Sequence, residues 1–452
     1  MTFRSISEAA KQIRLRKISP VDVLRECLET IDALNPTLNA FITVTADSAL
    51  AEAKQAEQEI QSGKWRGPLH GIPIGLKDLI DTTGVRTTAA SGVFRDRVPT
   101  QDANVVSKLK ATGAVFVGKQ NLQEFAYGSS SVISHFGPVR NPANPEFIAG
   151  GSSSGSAAAV ASGMCYAAIG TDTAGSIRQP ASVCGVVGLK PSYGLVSTQG
   201  IIPLSQSLDH AGPITRSVED AAIVLDAIAD NGGKYSEDIE RGIQDLVLGV
   251  PRKYFFEDLD SEIASAVEQA IQRLGRTAKS VREVECPIEQ DRTVFNAEAR
   301  AYHRNKIASS SALYDPETLR RLQSGDPITD AEYQHAFEHL QRTRKKIGQM
   351  FRDVDILVTP TVPVRTPRIS DLLADISALR PAEMLLLRNT RPINVWGLPA
   401  ISIPCGATSQ GLPIGLQIIG PPGEDAKVLR LASAYEQMTR PAVGDPRIES
   451  AG

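Results

Sequence analysis

Apolar residues recur at helical spacing soon after residue 20, where Leu24, Cys27, Leu28 and Ile31 fall on one face. Ahead of them Ser19-Pro20-Val21-Asp22 supplies a capping hydroxyl, a proline in the first turn and an early acid, and Asn35-Pro36 closes the run, which predicts a helix between the two signals. Residues 46 to 62, rich in Ala, Glu, Gln and Lys, predict a second helix. The texture then changes. From Gly67 to about Pro213 the chain is crowded with Gly, Ser, Thr and Pro, interrupted by the short apolar runs AVFVG (114 to 118), CYAAIG (165 to 170) and CGVVGL (184 to 189). Such runs, bounded by turn residues, suit strands buried on both faces. Beyond Val218 the alternation continues with a helix at SVEDAAIVLDAIA, a strand at LVLGVP, a helix at SEIASAVEQAIQRLG closed by Gly275, and a long helix over about 330 to 352. Strand-like DILVTP (355 to 360), AISIPCG (400 to 406) and IGLQIIG (414 to 420) lead to a last helix near 426 to 438.

These elements describe an α/β fold, a single large unit with a mixed β-sheet core covered by helices on both faces. It is expected to span residues 1 to 452, with a helical segment over about 1 to 65 and a core over about 67 to 215. No internal repeat or low-complexity linker divides it. With 42% hydrophobic residues, 22% charged residues and a net charge of −3, the chain has no polyelectrolyte character, so a small-molecule partner is expected rather than nucleic acid. Cys27, Cys165, Cys184, Cys286 and Cys405 are scattered without a C-x-x-C pair, which suggests neither a disulfide framework nor a cysteine-rich zinc site and fits a reducing cytoplasm. No apolar run approaches the roughly 18 residues that span a bilayer. The first stretch, MTFRSISEAAKQIRLRK, lacks an apolar signal core and reads as a surface helix.

Three motifs tempt and are discounted. GAVFVGK (113 to 119) has the skeleton of a phosphate loop, but Gln120 stands where a Ser or Thr is required and the middle favours a buried strand. HAFEH (335 to 339) has the spacing of a zinc-peptidase pair, yet His335 and His339 fall about 200° from the stripe of Tyr333, Phe337, Leu340, Ile347 and Phe351 at about 100° per residue, on the face expected to meet solvent. Gly151-Ser152-Ser153-Ser154-Gly155 satisfies the G-x-S-x-G elbow, which would make Ser153 a nucleophile. An elbow should follow a buried strand, whereas RNPANP precedes this one, separated by only EFIA.

Two further stretches pair unusual chemistry with turn-forming backbone: GIPIGLKDLID, which carries Lys77 after an apolar run, and TDTAGSIRQP, which carries Ser176 in a tight loop. Together with GGSSSGSAAAVASG they resemble the amidase signature family of serine hydrolases. The resemblance runs on through GTDTAGSIRQPASVCGVVGLKPSYG, LDHAGPITRSVEDAA, NVWGLPAISIPCG and GLPIGLQIIG, in that order and over nearly the whole chain. It implies the amidase signature fold and a catalytic set of Ser176 as nucleophile, Ser152 as the bridging serine in cis peptide linkage, and Lys77 as base. Chemically the set is coherent. A serine hydroxyl is a poor nucleophile until a base takes its proton, and none of these three stretches contains a histidine to do so. Lysine serves only when neutral, so its pKa must fall from near 10.4 toward neutrality, roughly 4 kcal/mol that burial can supply. Ser153, Ser154 and Ser156 are expected to support the backbone around the relay, and Ala157 to Ala161 to let the following helix pack close.

The resemblance further implies an oxyanion hole from the backbone N–H groups of Thr173, Ala174, Gly175 and Ser176, with Asp172 and Arg178 bracing the loop. Ala174 replaces a glycine common in the family, which is tolerable only if its φ stays negative. Substrate contacts are expected at Tyr127, Gly128 and Ser129, while Leu195, Ile202 and Trp396 are expected more in the core than in the pocket. The expected activity is hydrolysis of carboxamide-type C–N bonds in small amides, anilides and carbamates, through an acyl-enzyme and without metal or organic cofactor. The alternative is the amidase subunit of a glutamyl-tRNA amidotransferase. GPPGEDAK without the Phe-Asp-Glu run associated with that subunit, and Leu195 in place of an arginine, favour the free hydrolase. A small-molecule amide, no nucleic acid, no membrane and a homodimer as the assembly to look for complete the expectation.

Overall fold

The computed structural model describes residues 5–439, so the outermost ends of the expected 1 to 452 unit lie outside the described residues. Its strands are β1 (Phe41–Val44), β2 (Pro73–Lys77), β3 (Val115–Gln120), β4 (Ala167–Asp172), β5 (Val187–Lys190), β6 (His210–Thr215), β7 (Val247–Val250), β8 (Ser280–Glu283), β9 (Ile356–Pro360), β10 (Ala400–Ala407) and β11 (Pro413–Ile419). They form one sheet in the order β1-β3-β2-β4-β6-β5-β10-β11-β9-β7-β8. Pairing is mixed: β2 runs parallel to β3 and β4, and β7 parallel to β8 and β9, while the centre from β4 through β6, β5, β10 and β11 to β9 is antiparallel.

Strand periodicity sends alternate side chains to opposite faces. On β4, Ala167 and Ile169 join a core with Ile74, Leu76 and Ile418, covered by helices Ile6–Arg14, Asn104–Thr112, Val218–Ile228, Ser261–Gly275 and Asp425–Thr439. Ala168 faces the other way, against Val115, Val117 and Ile214 and under helices Ser154–Ala161 and Arg178–Cys184. Both faces are thus buried, which is why the strands read as apolar runs rather than as alternating ones.

Two element ends differ from expectation. The first long helix runs Pro20–Leu38, past Asn35-Pro36, and stops at Asn39 with φ +55°. Pro36 removes one donor near a helix end, and Asn39 N–H closes the last turn onto Asn35 O at 2.8 Å. Gly275 is the last residue of its helix rather than the stop after it. The long helix is Asp330–Lys346 followed by a tighter turn, Ile347–Phe351; His335 and His339 are exposed on it, and His339 Nε2 lies 3.1 Å from Glu289. GAVFVGK lies largely in the buried strand β3, and its Lys119 bonds to Ile80 O and Thr87 Oγ1. Among the described residues no helix is long and apolar enough to cross a membrane.

Candidate active site

The parallel pair β2 and β4 brings two strand ends together, with Leu76 opposite Ile169, and the site forms just beyond their carboxyl ends. Lys77 is the last residue of β2 and is fully buried. Its Nζ donates to Ser152 Oγ and to Thr171 Oγ1, both at 2.7 Å. Burial brings its pKa down to about 7, against the upward pull of the Asp209 and Asp172 carboxylates. A lysine so placed is available as the neutral amine near pH 7.

The stretch GGSSSG arrives from the other side. The Gly151–Ser152 peptide is cis, and Ser152 O accepts from Gln123 N at 3.3 Å. Ser153 is not presented as an elbow nucleophile: its Oγ is tied to the Thr171 backbone, accepting from N at 3.2 Å and donating to O at 3.1 Å, while its own N–H donates to Ser176 O at 3.1 Å. It therefore joins the serine stretch to the loop that carries Ser176. The helix behind it needs small residues, because a Cβ on Gly155 would overlap Ala40 O and stand 2.6 Å from Asn121 N and O. Ser152 Oγ and Ser176 Oγ share no hydrogen bond among the described residues.

Asp172, at the end of β4, organises the loop. Its carboxylate accepts from Gly175 N (2.8 Å), Ile177 N (3.1 Å), Arg178 Nε and Nη2 (3.1 and 2.9 Å) and Asn394 Nδ2 (2.8 Å). Burial alone would raise its pKa; the Arg178 guanidinium overrides that and holds the carboxyl well below the usual range. Arg178 reaches on to Gln417 Oε1 at 2.6 Å and Asn394 Oδ1 at 2.7 Å. Gly175 has φ +135°, and a Cβ there would overlap Thr390 Oγ1, the hydroxyl that donates to Ala174 O at 2.7 Å. Ala174 is not among the residues of positive φ, so its methyl is accommodated. Gly175 N–H, expected in the oxyanion hole, is instead committed to Asp172.

One expectation is corrected by the topology. Histidine is absent from the motifs around Lys77, Ser152 and Ser176, but the β4–β6 register sets His210 opposite Asp172. Its Nδ1 lies 3.1 Å from Asp172 O and 2.7 Å from Leu208 O, two carbonyls that call for an N–H there. Burial and the nearby Lys190 push its pKa well below the ordinary value. It braces the strand end and reaches none of Lys77, Ser152 and Ser176 by a hydrogen bond among the described residues.

A cavity opens at Ser176 and is walled by Thr173, Ala174, Tyr127 and Gly128. Ser129 does not line it; its Oγ donates to Glu383 O at 3.0 Å. Ile202 and Trp396 lie in the core, and Leu195 packs against it. Sequence reasoning missed Thr171 beside Lys77, Asp209 on Thr173 Oγ1 (2.5 Å), and three arginines in the cavity wall, Arg292, Arg380 and Arg391. Asp209, Asn394 and Gln417 sit inside the motifs LDHAGP, NVWGLP and GLQIIG, which was the available signal. The arginines had none.

The family described as Amidase matches residues 22–429. This chain belongs to the amidase family. The amidase is 40% identical over 476 residues to a Geotalea daltonii protein named as one of the subunits of glutamyl-tRNA(Gln) amidotransferase, covering 96% of this chain and 97% of that one. Among solved structures it is similar to a chain of a vestigial protein complex that reveals the evolutionary origins of an s-triazine catabolic enzyme (TM-score 0.89, 33% identity, 96% and 98% of the two chains). It is also similar to the correspondingly named glutamyl-tRNA(Gln) amidotransferase subunit of Thermotoga maritima (TM-score 0.75, 35% identity, 93% and 95%). A relative of matching length named as one subunit of an enzyme of glutamyl-tRNA overturns the expectation of a small-molecule partner, no nucleic acid and a homodimer. The physical reason is simple: a net charge of −3 describes this chain's own surface and says nothing of what other subunits carry.

Proposed function

We propose that this amidase is the amide-cleaving subunit of an amidotransferase, in which Ser176 opens a carboxamide and the ammonia released passes to a partner subunit. The observation that carries the chemistry is the 2.7 Å hydrogen bond between buried Lys77 Nζ and Ser152 Oγ, next to the loop bearing Ser176. The subunit role is supported by the match to the Geotalea protein along nearly its whole length.

Neutral Lys77 takes the proton of Ser152 while Ser152 takes that of Ser176, and Ser176 Oγ bonds to the carbonyl carbon. The carbonyl electron pair moves to oxygen, where the backbone N–H groups of Thr173, Ala174 and Ser176 receive it, each such donor typically contributing about 3 kcal/mol in the transition state. The lysine proton returns through Ser152 to the nitrogen, the C–N bond breaks and ammonia leaves. Water, deprotonated by the same relay, then splits the Ser176 ester into carboxylate and free hydroxyl.

A fluorophosphonate probe tests this, with the adduct located by peptide mass spectrometry. The expected adduct is on Ser176 and disappears in Lys77→Ala; an adduct on Ser153 overturns the assignment. The free amide hydrolase, acting on small amides, anilides and carbamates, is a second reading, favoured by higher TM-scores to an amidase (0.85) and to the native peptide amidase of Stenotrophomonas maltophilia (0.83) than to the Thermotoga protein (0.75). Turnover of simple amides by the purified chain alone supports the second reading, and copurification with other subunits supports the first.

A further inference from the structure

Asp172 holds the far half of the loop that carries Ser176, and a second carboxylate holds the near half. Asp209 immediately precedes β6 and is half-buried. Its Oδ1 accepts from Thr173 Oγ1 at 2.5 Å, whereas its Oδ2 accepts from Leu204 N at 2.9 Å and Ser205 N at 3.1 Å. The two oxygens therefore join opposite walls of one cavity: Thr173 on the loop, and Leu204 with Leu208 on the segment ahead of β6. That segment is itself braced. Glu298, in helix Thr293–Ser310, accepts from Ser205 Oγ at 2.6 Å, Ser207 N at 3.0 Å and Tyr333 OH at 3.0 Å, and Arg344 Nη2 donates to Ser207 O at 2.8 Å. The backbone N–H groups of Thr173 and Ala174 make no hydrogen bond among the described residues, so their aim depends on what holds the residues themselves. Thr390 holds Ala174 O, and Asp209 holds the Thr173 hydroxyl.

The same carboxylate acts on the base. Thr171, whose Oγ1 accepts from Lys77 Nζ at 2.7 Å, and Thr173 stand two residues apart at the end of β4, about 7 Å along an extended chain. Across such a gap a carboxylate favours the ammonium form of the lysine. The pull of Asp209 on Lys77 exceeds that of Asp172, which Arg178 pairs at 2.9 Å. Burial pushes the Asp209 carboxyl up to about 6, against the hydrogen bonds from Thr173, Leu204 and Ser205 and with the repulsion of Glu298, so it is ionised at pH 7. The charged groups around it are Lys77 on β2, Asp172 and Arg178 at the loop, and Glu298 and Arg344 beneath the Leu204–Ser207 segment; His210, next in the chain, is kept neutral by burial.

We propose that Asp209 is a positioning residue of amide cleavage, which aims the Thr173 end of the oxyanion hole through the Thr173 hydroxyl and sets a negative charge within reach of the Lys77 amine. The inference rests on Ser176 being the nucleophile and Lys77 its base. The test is the rate of fluorophosphonate labelling at Ser176, split into kinact and KI and followed from pH 5 to pH 9, on the full chain with any subunit that copurifies. Two variants separate the two contributions. Thr173→Val removes the hydroxyl and keeps the charge: kinact is expected to fall at least about tenfold with KI changed by less than about threefold, while the rise of the rate through pH 7 stays in place. Asp209→Asn removes the charge, yet its amide can donate to the Thr173 hydroxyl and its carbonyl can accept from Leu204 N and Ser205 N. There the rise is expected to move to lower pH by about half a unit or more, because the lysine loses an attraction that favours its proton. Loosening of the fold lowers the rate at every pH and does not carry the midpoint toward acid. A kinact unchanged in Thr173→Val, or a midpoint that stays or rises in Asp209→Asn, overturns the proposal while Ser176 remains labelled and the cleavage reading stands. A wild-type chain unlabelled at Ser176 overturns that reading and the proposal with it.

Discussion

Replacing Lys77 by methionine keeps the length of the side chain and removes its titration. The buried lysine has a pKa of about 7 in place of the ordinary 10.5, a difference equivalent to roughly 5 kcal/mol in favour of the neutral amine in the folded chain. Between those two values the unfolded chain holds a proton on this lysine that the folded chain does not, so stability rises with pH across that window and is lost as pH falls through it. Urea unfolding of the wild type and of Lys77→Met, measured at intervals from pH 7 to pH 10, isolates the effect, because other buried lysines such as Lys119, whose pKa burial lowers to about 8, contribute equally to both and cancel. The wild type should gain on the variant by roughly 3 to 4 kcal/mol over that range. A difference that stays flat or shrinks would refute the reasoning. The same lysine governs rate: kcat/KM for amide hydrolysis should climb with pH through about 7 and level off, and a limb near 10 would show that the lysine is charged in the working enzyme.

Other substitutions probe the supports of the site. Gly175→Ala places a methyl on Thr390 at a φ of +135°, and is expected to abolish fluorophosphonate labelling of Ser176 while the chain still unfolds cooperatively. Arg178→Leu leaves the Asp172 carboxylate buried without its 2.9 Å ion pair and should cost about 3 to 5 kcal/mol in urea unfolding at neutral pH. Gly155→Ala drives a methyl into the backbone of Ala40 and Asn121 and should destabilise by about 1 to 3 kcal/mol in urea unfolding, although alanine stabilises an unobstructed helix position by about 1 kcal/mol; a variant as stable as the wild type or more so would mean that the close approach is unimportant.

How far the sequence could be read depended on whether a residue's partners were near it in the chain. Strands such as CYAAIG and IGLQIIG were legible because burial on both faces leaves a short apolar run between turns, and a helix was legible where a cap and an apolar stripe agreed, as at Ser19-Pro20. Lys77, Ser152 and Ser176 were legible only through the resemblance; nothing local distinguishes Lys77 from a lysine that ends an apolar strand at the surface. His210 was overlooked because its position depends on β6 pairing with β4, a register that no local pattern states. The cavity arginines were out of reach for the same reason in stronger form. Positions 292, 380 and 391 stand in three different elements, each among other charged residues, and only the packing of those elements over Ser176 turns them inward.

The network under the nucleophile loop also sets an order on synthesis. Ser176 and Asp172 leave the ribosome long before the groups that hold them: Thr390 is 216 positions from Ala174, Asn394 is 222 positions from Asp172, and Gln417 is 239 positions from Arg178. A nascent chain carries Lys77, Ser152 and Ser176 early, yet the loop bearing Ser176 has only its local bonds to Asp172, without Thr390, Asn394 and Gln417, until the last two strands of the sheet have been translated. The enzyme is therefore expected to remain silent during most of its own production, and a chain stopped before residue 390 should leave Ser176 unlabelled by the fluorophosphonate that marks the full-length protein.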